Sequence, residues 1–192
     1  EVVIRTDKNR YASPQQMAVL SAPDTATLVE MILSQSSGII KSFKKGEIAE
    51  RQRRTLKSTL NQNALQDRFG IDLTIPSAYN VFKEGNSAVW FQREIRKGHV
   101  NLIVYELPRT TALDFEQPLM DIIRIRDSVG HAFIPGRLTN THLITEAAYE
   151  PYVYKTTING MRAVETRGTW EVKGDFMAGP FLQVLLDDKK NS

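Results

Sequence analysis

The sequence predicts an α+β fold made mainly of antiparallel sheet, with helices packed on one face. Three observations lead to this. Short β-prone runs fill the start of the chain, residues 71–105 and the C-terminal third. Helical periodicity fills the blocks between them, so strands and helices do not alternate one by one. An Asn-Gly pair at residues 159–160 joins two late runs as a hairpin, a connection between antiparallel strands.

The first third reads as two strands and then helix. Residues 1–5 (EVVIR) form a first strand that we expect to pair within a sheet, and QQMAVLSAP forms a second. Asp24 is placed to cap the next helix, because its carboxylate accepts from free first-turn amides. Gly38 is expected to interrupt this helix. A longer helical region should then run over residues 39–69 to a C-cap at Gly70.

The remaining elements are strands around one helix. The runs IDLTIP, YNVFKE, SAVWFQREI and HVNLIVYEL read as strands, and a helix is expected from near Pro118 to just before Pro135. THLITE, YVYKTTI, MRAVETRGTWEVK and FLQVLLD read as further strands. The chain has 192 residues, and we expect residues 1–192 to form a single α+β domain.

The Asn-Gly turn fixes a register. A two-residue loop at 159–160 places Ile158 opposite Met161, because a type I′ turn accommodates positive φ at both central positions. Val164, Trp170 and Val172 then share one face of the following strand, which we expect to be the buried one. Trp170 is accordingly predicted to be a core residue and not a ligand-stacking one.

The same register collects the candidate ligand-binding residues. It places Tyr152 opposite Arg167 and Tyr154 opposite Glu165, all four on one face of the sheet. Tyrosine offers a rigid apolar body with a hydroxyl, and arginine a planar fork for a carboxylate or a ring. The alternative is that these are ordinary cross-strand pairs that only stabilise the sheet. Asp175, in the turn after the same strand, is the fifth candidate.

The stretch RGTWEVKGDFMAGPF at residues 167–181, with YASPQQ at 11–16 and RDSV and PG between them, resembles a family of exported lipoproteins of Bacteroidetes known only as a domain of unknown function. The shared core is WE-x-KGDFM-x-GPF, and the resemblance runs from about Tyr11 to Leu186. Members are longer at both ends. The resemblance therefore implies a fragment of a longer cell-envelope protein, periplasmic or on the outer membrane, attached only through a lipid anchor outside this chain. It brings no activity and no catalytic residue.

Composition and motifs exclude several chemistries. The chain has no cysteine, which removes thiolate nucleophiles and zinc sites with sulfur ligands. His99, His131 and His142 lie in separate elements without a metal-ligand spacing, so no metal and no cofactor are expected. Neither a G-x-S-x-G elbow nor a glycine-rich phosphate loop is present.

The basic charge of the chain is concentrated in one segment, residues 41–57. Residues 41–57 hold seven Lys and Arg against Glu47 and Glu50, a charge of +5, so the rest of the chain carries 3 − 5 = −2. Such a segment could bind phosphate groups, but it contains only one aromatic residue, Phe43, for base stacking. We expect a solvated helix face with Glu47 and Arg51 as an i,i+4 pair, and no nucleic-acid partner.

Two functions remain. The first is a non-enzymatic module that binds a partner or ligand, an envelope protein or a glycan. The second is an exported hydrolase acting on glycan or peptide through paired carboxylates, which need only suitable separation in space. Its candidates are the acidic residues of the C-terminal third: Glu146, Glu150, Glu165, Glu171 and Asp175. The position of the last three relative to a cleft distinguishes the two functions.

Overall fold

The computed structural model describes residues 1–108, 111 and 113–187. Within them it contains three helices and nine strands, and all strand pairs are antiparallel, which confirms the α+β prediction. The strands are β1 (Val3–Lys8), β2 (Gln16–Ser21), β3 (Asn80–Glu84), β4 (Ala88–Ile95), β5 (Gly98–Tyr105), β6 (His142–Thr145), β7 (Tyr152–Ile158), β8 (Met161–Lys173) and β9 (Ala178–Leu186). The helices are α1 (Thr25–Thr55), α2 (Ala64–Phe69) and α3 (Leu119–Phe133).

The chain divides into two compact units, Glu1–Tyr105 and Glu106–Ser192, and each has its own hydrophobic core. We call them the first and the second unit. The expectation of one domain over residues 1–192 stays a prediction.

The first unit begins with a hairpin and a long helix. β1 pairs with β2, as expected for the first strand. Asp24 caps α1 by accepting from the Thr27 amide at 2.9 Å. The predicted break at Gly38 is wrong, because α1 runs without interruption to Thr55. A glycine inside a helix costs only about 1 kcal/mol relative to alanine, which the other residues of a 31-residue helix outweigh.

The C-terminal half of α1 pairs its charges differently from the prediction. Glu50, and not Glu47, is the paired carboxylate: it accepts from Arg53 and Arg54 at 2.7 Å. These hydrogen bonds lower the pKa of Glu50 to about 2. In the described part of the chain, no helix combines the length and the apolar character needed to cross a membrane.

The rest of the first unit is the three-stranded sheet β3-β4-β5 with α2 against it. Its core joins Leu65 of α2 to Ile75 and to Val89 and Phe91 of β4, all nearly inaccessible to solvent. Gly70 ends α2 with a positive φ of 63°, as predicted. The predicted helical region over residues 39–69 is wrong, because residues 56–63, rich in the weak helix formers Ser, Thr and Asn, separate α1 from α2. The predicted strand IDLTIP is wrong as well, since residues 71–76 form only an isolated bridge at Pro76.

The second unit is organised around β8. This 13-residue strand pairs with β9 along one edge, and with β7 and then β6 along the other. Helix α3 begins after Pro118 and ends before Pro135, as expected, and covers one face of the sheet. Its Ile122 packs with Val164 of β8 and Leu185 of β9 to form the core of the unit.

Candidate functional site

The face of the second-unit sheet that points away from α3 carries the predicted patch. Asn159 and Gly160 adopt φ values of 49° and 77°, and the turn pairs Ile158 with Met161. The predicted register is therefore confirmed. Val164 points to the α3 core, so its strand neighbours point the other way, because side chains alternate along a strand. We call this opposite side the outer face.

Four of the predicted site residues meet on the outer face. Tyr152 lies opposite Arg167 and Tyr154 opposite Glu165. The tyrosines expose 71% and 48% of their surface. The Arg167 Nε donates to Glu165 Oε1 at 2.6 Å, and its guanidinium carbon lies 5.4 Å from the centre of the Tyr154 ring. The two charges of the patch therefore satisfy each other, and the patch as a whole is neutral.

Sequence reasoning missed the other half of the outer face, which comes from β9. Leu182 lies opposite Arg167 and Val184 opposite Glu165, so both stand beside the ion pair on the side away from the tyrosines. Leu186 continues this row, and all three are exposed, Leu182 at 61%. A signal was present: FLQVLLD is apolar at both odd and even positions, which indicates a strand with apolar side chains on both faces.

The outer face runs across three neighbouring strands of the sheet. It spans β7, β8 and β9 and combines tyrosine rings on one edge, a neutral ion pair in the middle and aliphatic side chains on the other edge. Three strands spaced about 4.8 Å apart and about seven residues long give a footprint of roughly 10 by 20 Å. Exposed apolar patches larger than a few hundred Å² mark interaction sites, and this footprint of about 200 Å² lies at the lower end of that scale.

The side facing α3 anchors this surface. The Phe181 ring lies against Gly168, where a Cβ would come within 2.9 Å of it. The guanidinium carbon of Arg126 on α3 lies 3.6 Å from the centre of the same ring. On that side, Thr145 also donates its amide to Asp127 of α3 at 2.6 Å. These contacts hold the sheet against α3, and the packed helix supports the strands that form the outer face.

Asp175 is placed elsewhere, in the turn after β8. Arg137 donates to both of its oxygens at 3.0 and 2.9 Å, and the Phe176 amide donates at 2.8 Å. The hydrogen bonds from Arg137 lower the pKa of Asp175 below its ordinary value, and the Phe176 amide acts in the same direction. Its side chain is 7% exposed. These contacts give Asp175 a part in holding the turn.

Trp170 differs in part from its prediction. It lies on the same strand face as Val164 and Val172, as the alternation requires, but it is half-buried and not fully enclosed. Its indole covers Gly179 of β9, where a Cβ would lie 2.9 Å from the ring. A glycine partner leaves the ring without a side chain to enclose it on that strand, which explains the remaining exposure.

The histidines and the candidate catalytic carboxylates do not come together in a site among the described residues. His131 and His142 contact each other edge to face, with ring centres 4.4 Å apart, yet no group of three potential metal ligands occurs among these residues. Two concavities lie along residues 25–34 and residues 78–96. Glu165, Glu171 and Asp175 line neither of them.

Two family models match the chain. The model described as Domain of unknown function (DUF4837) matches residues 58–192, and the one described as Domain of unknown function (DUF8532) matches residues 1–56. Comparison with curated proteins and with solved structures gives no match.

Proposed function

Because the chain belongs to the family described as Domain of unknown function (DUF4837), which brings no activity with it, we propose its function from its surface: it is a non-enzymatic module that binds a protein partner on the outer face. The observation that supports this is the composition of that face. Its centre is the Glu165–Arg167 ion pair, whose two charges satisfy each other. This pair is flanked by exposed side chains, tyrosines on one edge and aliphatic residues on the other: Tyr152, Tyr154, Leu182 and Val184.

The neutral centre favours an apolar partner surface. A partner gains from covering aliphatic and tyrosine side chains, while Glu165 and Arg167 keep their mutual hydrogen bonds and need no new counter-charge. Tyrosine and arginine are also enriched among the residues that dominate binding energy at interfaces. The aliphatic row of β9 favours a protein over a glycan, since sugar hydroxyls gain little from leucine and valine.

Hydrolysis has less support. A pair of catalytic carboxylates must face one cleft about 5–10 Å apart and keep one member free to exchange protons. Glu165 is bound to Arg167 and Asp175 to Arg137, in two different parts of the second unit. The hydrolase hypothesis therefore has no observation in its favour.

The cellular setting completes the proposal. The motifs at residues 11–16 and 167–181 support an exported lipoprotein of the cell envelope, anchored by a lipid outside this chain, and so an envelope protein as the partner. Nucleic acid is not part of the proposal: Arg53 and Arg54 of the basic segment are held by Glu50, and Phe43 is half-buried in α1. No cofactor is required for binding of this kind.

Site-specific photocrosslinking tests the proposal. A photoreactive phenylalanine analogue is placed at Val184 in the protein expressed in its own cells, and at Phe176 as the matched control, because Phe176 is fully exposed in the same unit but lies outside the outer face. We expect one crosslinked protein from position 184 and not from position 176. Leu182→Asp added to the Val184 probe should abolish this product, since it places a charge in the apolar contact.

Two results contradict the proposal. One is the same products from both probe positions, which would indicate random collision. The other is a product from position 184 that survives both Leu182→Asp and Tyr152→Ala. A third outcome would identify a glycan as the partner. In that case no protein is crosslinked, and a purified glycan binds the wild-type protein but not the Leu182→Asp or Tyr152→Ala variant. Unchanged melting temperatures of the variants verify that the fold is intact, as expected for exposed positions.

A further inference from the structure

Helix α1 has an exposed row of aliphatic side chains in its first half. Val29, Leu33 and Ile40 are all exposed, Leu33 at 74%. They follow each other at steps of four and seven residues, which places them on one side of a helix with 3.6 residues per turn. The side that packs on the β1-β2 hairpin is a different one, because there an added Cβ at Gly46 would meet the Gln16 side chain of β2. α1 therefore carries a second apolar side, and this side is exposed.

The charges of α1 are divided unequally between its two halves. Residues 25–40 contain a single charged residue, Glu30, whereas residues 41–55 contain six Lys and Arg against two Glu. The first half therefore carries −1 and the second 6 − 2 = +4. Glu30, Lys41 and Lys44 are exposed and take no part in the ion pairs that the described residues of α1 form. A second copy of α1 that runs in the opposite direction complements both halves, since it offers a basic half to the acidic one.

An antiparallel pair that crosses at residues 36–37 brings the two apolar rows together. Residues equally far from the crossing then lie opposite each other, so Leu33 of one copy meets Ile40 of the second copy. The two residues at the crossing are serines, whose side chains are small. The Ser36 hydroxyl already donates to the Leu33 carbonyl at 3.3 Å. The helices can therefore approach closely without leaving this hydroxyl unpaired.

The same arrangement joins opposite charges. Glu30, Lys41 and Lys44 lie on one flank of the apolar row, because steps of 11 and 14 residues are close to three and four whole turns. A two-fold axis between antiparallel helices brings the same flank of each copy together. Glu30 then lies within about 3 Å along the axis, two residues of helical rise, of Lys41 and Lys44 of the second copy. A parallel pair would instead place the two +4 halves side by side.

From these positions we propose that α1 is a self-association surface, through which two copies of the chain form an antiparallel dimer. Helices packed about 8–10 Å apart that overlap over residues 25–48, about 36 Å of helix, cover roughly 700 Å² in total. Stable interfaces bury about 1,200 Å² or more. The dimer is therefore reversible, with a Kd of about 10–100 μM. Because α1 belongs to the first unit, this dimer forms whether or not the outer face has a partner.

Sedimentation equilibrium of the whole chain, at concentrations below and above this Kd, tests the dimer. We expect a shift from monomer to dimer as the concentration rises. Leu33→Lys should raise the Kd about tenfold or more, since it places a charge in the apolar contact and near Lys41 of the second copy. Leu182→Lys, the same change at an exposed leucine of the second unit, should leave the Kd unchanged. A chain that stays monomeric, or an equal loss with Leu182→Lys, would overturn the proposal.

Charge reversal tests the contacts beside the row. Glu30→Lys should raise the Kd about threefold or more, because lysine then faces lysine at both symmetric positions. Adding Lys41→Glu and Lys44→Glu to Glu30→Lys should return the Kd towards the wild-type value, since opposite charges meet again. A triple variant that associates no better than Glu30→Lys alone would exclude the antiparallel charge contacts.

Crosslinking through introduced cysteines determines the direction of the helices, because the chain has no cysteine of its own. Ala26 and Glu47 are equally far from the crossing and both exposed. A short bis-maleimide should join Ala26→Cys chains to Glu47→Cys chains in a mixture, and should leave Ala26→Cys chains alone unlinked. Linkage of Ala26→Cys chains to each other would indicate a parallel pair and overturn the proposal. Unchanged melting temperatures verify the fold of each variant, as expected for exposed positions.

Discussion

Substitution of two helical glycines by alanine should have opposite effects on stability and so tests the packing around each helix. Gly130 lies in α3, where an added Cβ would come 2.1 Å from the carbonyl oxygen of Leu143 on β6. Gly38 lies in α1, where an added Cβ would meet nothing within 4 Å. The same substitution by alanine should therefore destabilise the second unit at one position and stabilise the first unit at the other.

The magnitudes follow from the geometry. A carbon and a carbonyl oxygen approach to about 3.3 Å, so Gly130→Ala requires α3 and β6 to separate by about 1 Å. Inserting a methyl into packed structure costs about 1–3 kcal/mol, and a backbone oxygen held in a strand ladder favours the upper end. The gain in helix propensity offsets about 1 kcal/mol. We expect a net loss of about 1–2 kcal/mol, against a gain of about 0.5–1 kcal/mol for Gly38→Ala.

The chain supplies a reporter for each unit, since Trp90 lies in the first and Trp170 in the second. Labelling with 5-fluorotryptophan gives two ¹⁹F signals, whose loss in urea is followed separately. Gly130→Ala should lower the urea midpoint of the Trp170 signal, and Gly38→Ala should raise that of Trp90. An unchanged or raised Trp170 midpoint in Gly130→Ala would refute the close approach of α3 to β6.

Three further predictions concern single contacts. Asp175→Asn should reduce the loss of second-unit stability between pH 7 and pH 3, measured by urea unfolding, because the wild-type carboxyl has a lowered folded pKa. Gly160→Val should lower the melting temperature by the equivalent of about 1 kcal/mol or more, since a β-branched residue is strained at a φ of 77°. Changing Arg53 and Arg54 to Gln should raise the pKa of Glu50 from about 2 towards its ordinary range in a carboxyl ¹³C titration.

The sign of the first of these predictions is fixed by linkage. A carboxyl with a lowered folded pKa contributes stability above its unfolded pKa, near 3.9, and loses that contribution as the pH falls through the folded value. A wild-type protein and an Asp175→Asn variant with the same pH dependence would exclude the Arg137 contact. Gly160→Ala, at the same φ, is the smaller-side-chain control for Gly160→Val. A Glu50 pKa unaffected by the arginine changes would contradict the ion pairs.

Local signals in the sequence were sufficient for much of the fold. Asp24, Gly70 and the Asn159-Gly160 turn act within a few residues of themselves, so their caps and register are readable without tertiary information. The candidate patch was predictable for the same reason: once the turn is fixed, the alternation of side chains places Tyr152 and Arg167 together.

Features set by distant residues were not predictable. Arg137 and Asp175 are separated by 38 positions, and no local pattern connects them. The continuity of α1 through Gly38 depends on the summed helix propensity of all its residues and not on the glycine alone. The extension of β4 to Ile95, beyond its last pair with β3, was not predictable either, because strand ends are weakly marked in the runs YNVFKE and SAVWFQREI.

The arrangement of every second-unit ladder around β8 has a consequence for folding. β9 completes the core with Leu185 and covers one edge of β8 from Ala163 to Glu171. Until β9 has paired, that edge of β8 stays open, and open strand edges invite pairing with other chains. Folding intermediates that lack β9 are therefore the forms of this chain most exposed to aggregation.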